Sequence, residues 1–419
     1  MATTTTSRTD GGHSDSTPIG VAAQSRHRRR PVRRSTAPYL LLGLLFAVGY
    51  AAVAVLRYRR PGAISPGTAL LVREVRDYAW LHAPDITVHG VQTDALGLHF
   101  SPVLALLAPV YRLFPSALTL LLAQAVLFAV SVTVVAATAG RLWGGHYRSE
   151  ARGRAMAVGV AYGLSWGLQN AVVSDFQPTC FAVPLIALSL RNVLLERWQR
   201  AGLWALPLVF VQEDLGLTVA AIGLVIFLQR RWGTGALLGC FGVAALLLSM
   251  DWVIPHLSPT DRYAGWSHLS GGYLDLLAPV KLAQHLGSGG GTKIWTLVYL
   301  LAITGFLALR SPLLLVAVPT LAWRFLAADP AYWGTGRHYS TVLMPILFLA
   351  LVDAVHRCEQ RGGDGWLRRY ATQAAVPAVT AVALTLCVSL QLPGLSLVKP
   401  GSYQSASVRP VSPRSPLPR

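Results

Sequence analysis

The stretch 201–228, Ala201-Gly-Leu-Trp-Ala-Leu-Pro-Leu-Val-Phe-Val-Gln-Glu-Asp-Leu-Gly-Leu-Thr-Val-Ala-Ala-Ile-Gly-Leu-Val-Ile-Phe-Leu228, decides how the rest of the chain is read. It is almost wholly apolar except for Gln212, Glu213 and Asp214 at its middle. A carboxylate at the centre of a bilayer costs about 2.5–3.5 kcal/mol on insertion scales, and here two are adjacent. They must sit at a membrane face or in a watered cavity. One crossing needs about 20 residues, so the stretch is long for a single span. The expected form is a tight hairpin of two short helices with Gln212, Glu213 and Asp214 at the turn. Each arm then spans about 17–21 Å at 1.5 Å per residue. That sinks the turn below the membrane surface, where it forms the floor of a cavity.

Composition agrees with a membrane chain. Of 419 residues 53% are hydrophobic and 13% charged, against about 25% charged in ordinary globular proteins, and the mean hydropathy is +0.47. The reading is an all-α, polytopic integral membrane protein. A net charge of +18 would suit nucleic acid, but the arginines cluster between apolar runs and form no basic face, so no nucleic-acid partner is expected. Cys180, Cys240, Cys358 and Cys387 show neither a disulfide framework nor metal-ligand spacing and read as small core residues. Residues 1–36 read as a disordered, basic, cytoplasmic tail, 37–392 as the multi-span membrane domain, and 393–419 as a disordered outer tail. The first apolar run lies behind the long polar tail, so no cleavable signal peptide is expected.

Apolar runs occupy 38–56, 117–139, 155–171, 178–194, 235–254, 294–309, 312–327, 338–355 and 373–391. With the two hairpin arms they make about eleven crossings. The run 102–115, holding Pro102, Pro109 and Arg112, is too short to span and reads as a re-entrant or interfacial helix. Orientation follows the positive-inside rule. With the N-terminal arginines cytoplasmic, the inner segments carry most of the 36 Lys and Arg residues. A single crossing at 201–228 would invert every later loop and put Arg357, Arg361, Arg368 and Arg369 outside. The hairpin reading therefore places the N-terminus in the cytoplasm and the C-terminus outside, in a multi-pass plasma-membrane protein. The long loops 57–101 and 251–293 are then outer, and Gly287-Ser288-Gly289-Gly290-Gly291 reads as a flexible hinge in the second.

A set of motifs follows in order. His99-Phe100-Ser101-Pro102 precedes Tyr111-Arg112-Leu113-Phe114-Pro115. Then come Gln124, Ala161-Tyr162-Gly163-Leu164-Ser165-Trp166, Asp175-Phe176-Gln177-Pro178 and Gln212-Glu213-Asp214-Leu215-Gly216-Leu217. Trp323-Arg324-Phe325, Tyr332-Trp333-Gly334 and His338-Tyr339-Ser340 close the series. Over roughly residues 38–355 this order resembles the bacterial membrane family known as domain of unknown function 2079. That family is similar in layout to the GT-C class of membrane glycosyltransferases. The resemblance implies a GT-C-like fold, a sugar donor carried on polyprenyl phosphate, and an acidic residue in the first outer loop. This chain departs from the family pattern there. Pro66-Gly67-Thr68-Ala69-Leu70-Leu71-Val72-Arg73 has Gly67 where the family has Asp, and Val72 and Arg73 where it has an acid and an amide. Gln177 and Gln212 stand where His and Lys are usual. Any general base must then come from elsewhere.

Inverting sugar transfer needs a carboxylate to take the acceptor hydroxyl proton and cations to stabilise the leaving phosphate. Asp175, Glu213, Asp214 and Asp94 are the candidate catalytic carboxylates, since the topology puts them all outside. His99, Gln177, Gln212, Arg324, Arg337, His338 and Trp333 are the candidate substrate-binding residues, the arginines because guanidinium grips phosphate in a fork. Each has a plainer reading: Asp175 as a cap before Pro178, Glu213 and Asp214 as caps of the second arm, the arginines as snorkelling interfacial charges, Trp333 as part of an aromatic belt with Trp80, Trp252 and Trp266. No cofactor is expected. His82, Asp85, His89, Asp94 and His99 are metal-ligand types, and a divalent ion is the alternative, but their spacing fits no helical zinc signature.

Three functions compete. The first is a GT-C-like glycosyltransferase, or a degenerate relative, using a polyprenyl-phosphate-linked sugar at the outer face, with membrane lipid as partner. The second is an inactive membrane scaffold, which the missing first-loop Asp favours. The third is a transporter or flippase, disfavoured because the sequence offers one interrupted hairpin and no obvious second copy.

Overall fold

The structure is a computed structural model and describes residues 36–60, 64–88, 91–144, 148–258 and 278–360, with positions 366 and 369. The expected tails, the run 373–391, His89 and most of the 251–293 loop lie outside the described residues. The regular structure of the described part is helical apart from one small antiparallel hairpin, Asp85–Val88 with Val91–Asp94, in the first long loop.

Among the described residues, four helices are long and apolar enough to cross a membrane: Ala37–Tyr58, Ala117–Leu142, Trp232–Leu257 and His338–Gln360. Shorter apolar helices occupy Pro102–Leu113, Pro178–Leu194, Leu215–Leu228 and Pro312–Leu326. The sequence suggested longer uninterrupted spans in places. The run 155–171 is broken, with helices at Arg148–Gly163 and Trp166–Val173. Side chains satisfy carbonyls at the break: Tyr50, from far along the chain, donates to Gly163 O, and Gln169 to Leu164 O.

His338–Gln360 is the central helix, with 83% of its apolar window buried. It packs against Ala117–Leu142 and Ala182–Leu194. Ala37–Tyr58 lies outside, and its Leu40, Leu41, Leu44, Leu45 and Val48 are all exposed. Leu237, Phe241, Leu247 and Leu248 do the same on Trp232–Leu257. Apolar stripes left bare on helices of spanning length are what a lipid-facing surface requires. Cys180 sits in the core as expected, but Cys240 is exposed on that outer stripe.

The stretch 201–228 folds as the hairpin its polar centre implies. Its first arm is Trp198–Ala205 followed by a 3-10 turn, Leu206–Phe210, and its second is Leu215–Leu228. The second arm is zipped to the next helix through glycines. A Cβ on Gly242 would lie 2.5 Å from Gly216 O, and one on Gly223 2.5 Å from Gly239 N. Such close backbone approach is the usual way membrane helices associate. Because Gly216 follows Asp214 by two residues, this contact fixes the turn itself.

One expectation is corrected. Gly287–Gly291 is no free hinge: it closes the helix Pro279–Gly287 and opens Gly290–Ala302, with Gly289 left-handed (φ 62°) and packed so closely on Trp333 that a Cβ would lie 2.1 Å from the ring. A different interrupted segment occurs twice among the described residues. Ser101-Pro102 and Ser311-Pro312 each open a six-residue 3-10 helix, Pro102–Leu107 and Pro312–Ala317. Each then continues as an α-helix, Ala108–Leu113 and Val318–Leu326, with a proline (Pro109, Pro319) in its first turn.

Candidate functional site

The described part of the loop between the first two long helices is ordered by its own caps and pairings. Ser65 accepts a hydrogen bond from Thr68 N and Pro66 opens the helix Pro66–Ala79, a favoured start. Thr68, Glu74, Val75 and Ala79 form its buried face. The β-hairpin follows, with Asp85 and Asp94 directly opposite each other at its open end. Asp94 then caps a 3-10 turn through Leu96 N at 2.9 Å.

The loop closes onto the hairpin turn through Glu213. Its Oε1 lies 3.3 Å from His99 Nδ1, and its Oε2 accepts from Phe100 N at 3.2 Å, across 114 and 113 positions of sequence. The loop is held from the other side too. Gly97 packs against the backbone of Leu257 and Ser258, and Phe100 packs on Met250 and Ile254, where the long helix carries a π-helical turn, Ser249–Val253. Glu213 is therefore no helix cap, and Asp214, at the cap position, makes no capping bond either.

Glu74, Asp94, His99, Glu213 and Asp214 form one electrostatic group. Glu74 is 4% exposed and its Oε1 has no hydrogen-bond partner. Burial, reinforced by the Asp94 charge, pushes its carboxyl up to about 8. Burial also raises Asp94, with Asp85 adding to it, although the Leu96 N–H pulls the other way. His99 is raised chiefly by its hydrogen bond to Glu213, against partial desolvation. Asp214 Oδ1 is buried without a partner, with Gln212 close by. His99 forms the exposed rim of this group, its side chain 70% accessible.

A second group lies around Asp175. Arg57, at the end of the first long helix, holds both the Asp175 carboxylate and Ser174 O. Asp175 is thus an ion-pair partner and caps nothing. Gln124 fixes the same turn, donating to Ala171 O and accepting from Gln177 N at 3.1 Å. His338 is within electrostatic reach of Asp175, Arg337 and Arg324. Arg337 is exposed. Arg324 is buried and ties the 332–340 loop: Nε donates to Tyr332 O, Nη1 to Ser340 Oγ and Nη2 to Gly334 O, at 2.8–2.9 Å. Trp333 is 8% exposed, donates to Ala327 O, and carries Lys293 Nζ 4.3 Å over its ring.

The candidate residues thus fall into an acidic group (Asp94, His99, Gln212, Glu213, Asp214) and a mixed one (Asp175, Gln177, Arg324, Arg337, His338). Trp333 is packed inside the loop that carries the latter. Sequence reasoning missed Glu74 and Arg57. The signal for Glu74 was a carboxylate beside Val75 on the apolar stripe of a capped helix. Among the described residues, no three His, Cys, Asp or Glu side chains are arranged to hold a metal ion.

The model of a family described as predicted membrane protein (DUF2079) matches residues 72–409. The chain belongs to that family. The matched range begins just after Gly67 and takes in the whole acidic group and the hairpin turn. No curated protein and no solved structure matches the chain.

Proposed function

We propose that this DUF2079 protein is a membrane-embedded glycosyltransferase working at the outer face of the plasma membrane, with the N-terminus inside, and using a sugar carried on polyprenyl phosphate. The observation that carries the reading is the Glu213 clamp. It brings the first loop onto the hairpin turn and leaves a second carboxylate, Asp214, beside it with Oδ1 buried and without a hydrogen-bond partner. In the reaction, an acceptor hydroxyl attacks the anomeric carbon. The bond from that carbon to the phosphate oxygen breaks, polyprenyl phosphate leaves, and the hydroxyl proton passes to Asp214. Glu213 positions the loop. Arg337 provides the positive charge for the phosphate and the His338 imidazole a hydrogen-bond donor, on a loop braced by Arg324.

The basic groups at the opposite end support the orientation. Arg191 lies within electrostatic reach of Arg141 and Arg197, and Arg154 pairs with Glu359 at 2.7 Å. All are segments that the positive-inside rule puts in the cytoplasm.

The test is photo-crosslinking of the detergent-solubilised protein with a diazirine-bearing polyprenyl-phosphate sugar, read by mass spectrometry. Label on peptides covering 95–101, 211–215 or 334–339 supports the proposal. Label confined to the lipid-facing stripes contradicts it. The paired Ser-Pro interrupted segments at 101–114 and 311–326 favour one other reading, a transporter, since matched interruptions in two halves mark substrate paths. Uptake of a lipid-linked or soluble sugar by proteoliposomes, without any transfer product, would select it.

A further inference from the structure

We infer that the surface shared by the helix Pro66–Ala79 and the segment Pro102–Leu113 lies in the headgroup layer of the bilayer and binds anionic phospholipid. Its arginines hold the lipid phosphate, and its apolar side chains meet the upper acyl chains. The inference goes beyond the transferase reading and does not rest on it. The ligand is a bulk membrane lipid, and none of the residues involved belongs to the proposed transfer machinery.

Placement comes first. Ser116 caps Ala117–Leu142 through Leu118 N, and its hydroxyl donates to Tyr58 Oη at 3.3 Å. The ends of the first two long helices therefore meet, and Pro102–Leu113 finishes at that same level. The segment buries Val103, Leu104, Leu107 and Tyr111. It leaves Leu106, Val110, Leu113 and Phe114 exposed, at helical spacing. An apolar face turned away from the protein, level with the end of a span, is what acyl chains cover. Leu81 is a separate sign. It is 89% exposed and left-handed (φ 59°), a conformation uncommon outside Gly, Asn and Asp, and so stands out from the same loop as an apolar wedge.

Charge comes second. Arg73, Arg76 and Trp80 are exposed at spacings of three and four, on one stripe of Pro66–Ala79 and its C-cap. That helix packs on Pro102–Leu113, and Arg112 of the segment lies over the Trp80 ring, 5.1 Å from its centroid. Arg76 and Arg112 thus flank one exposed tryptophan, and Arg73 stands a turn away. Among the described residues, Asp77 is the one carboxylate that pairs with this stripe, with Arg76 at 3.8 Å, so the surface stays cationic. A guanidinium over an aromatic face keeps its N–H edge for a phosphate. Cations beside exposed aromatic and apolar side chains make a surface complementary to anionic lipid, each arginine tightening the hold roughly fivefold.

The experiment titrates delipidated full-length protein in detergent with phosphatidylglycerol or phosphatidylcholine of matched acyl chains, read by native mass spectrometry. Phosphatidylglycerol should bind at least tenfold more tightly, and its advantage should shrink as salt is raised. Arg73→Gln/Arg76→Gln/Arg112→Gln should lose at least tenfold for phosphatidylglycerol and nothing for phosphatidylcholine, which also shows that the fold survives. Arg73→Gln alone, at an exposed position, should lose roughly fivefold. Arg230→Gln/Arg231→Gln, beyond the far end of Leu215–Leu228, should keep the preference. In nanodiscs, bimane on Phe114→Cys in a background without the native cysteines should be quenched by lipids brominated near the top of their acyl chains. Equal binding of the two lipids overturns the inference, as does a preference unchanged in the triple variant or lost with Arg230 and Arg231. So does displacement of the bound lipid by soluble glycerol phosphate, stronger binding of polyprenyl phosphate on the same arginines, or bimane quenched only by aqueous iodide.

Discussion

Replacing Glu213 probes the joint between the first long loop and the hairpin turn. In Glu213→Ala the Phe100 N–H loses a charged acceptor at 3.2 Å, a bond contributing about 1.5–3 kcal/mol net. The His99 contact adds little, because its side chain is 70% exposed and exposed pairs contribute about 0–1 kcal/mol. The loop should therefore be released by about 2–3 kcal/mol, which is roughly 30- to 140-fold in an opening equilibrium at 1.4 kcal/mol per factor of ten. Glu213→Gln keeps an acceptor for Phe100 and loses only the charge, so its effect should be about 1 kcal/mol, roughly fivefold. Hydrogen exchange of peptides spanning 95–104 in nanodiscs reads this directly. Wild-type protection in Glu213→Ala would show that the loop is held without the clamp, and the construction of the site would be wrong.

Stability should fall as pH rises from about 4.5 to about 8. Glu74 is raised to about 8 in the folded protein against an unfolded value of 4.5, so its contribution is complete below the unfolded value and lost as pH climbs through the folded one. His99, also raised, acts in the same direction; thermal midpoints across pH should show a shallower decline in Glu74→Gln, and an unchanged slope would refute the burial of Glu74. Gly242→Leu should destabilise by about 1–3 kcal/mol or more, since its Cβ would meet Gly216 O. Gly233→Leu, with nothing within 4 Å, should be near neutral; equal losses in a detergent unfolding series would rule out the glycine contact. Arg324→Lys keeps a charge but not the planar fork, so limited proteolysis should become faster at Arg337 while the core stays intact.

The hairpin was legible because two carboxylates in an apolar run leave few physical options, and the structure folds it with Gln212, Glu213 and Asp214 at the turn. The membrane class was legible from apolar runs of spanning length. Less legible were interruptions inside those runs. Inside 155–171 only Gly163 and Ser165 mark a break, and the groups that make it tolerable, Tyr50 among them, come from elsewhere in the chain. Glu74 was hidden for a related reason. Charged stretches in outer loops usually face water, and only the packing of Pro66–Ala79 turns this carboxylate inward. Asp175 was singled out by its motif, but its partner Arg57 is distant in sequence and no spacing links them.

The central claim is that loop and turn form one site open to the outer aqueous phase. Its most direct test is accessibility of single cysteines in a background lacking Cys180, Cys240, Cys358 and Cys387. In intact cells, a membrane-impermeant maleimide should modify His99→Cys, and Glu213→Cys more slowly because the wild-type side chain is 2% exposed. Arg361→Cys should react only after lysis. Labelling of Arg361→Cys from outside, with His99→Cys protected until the membrane is opened, would contradict the account.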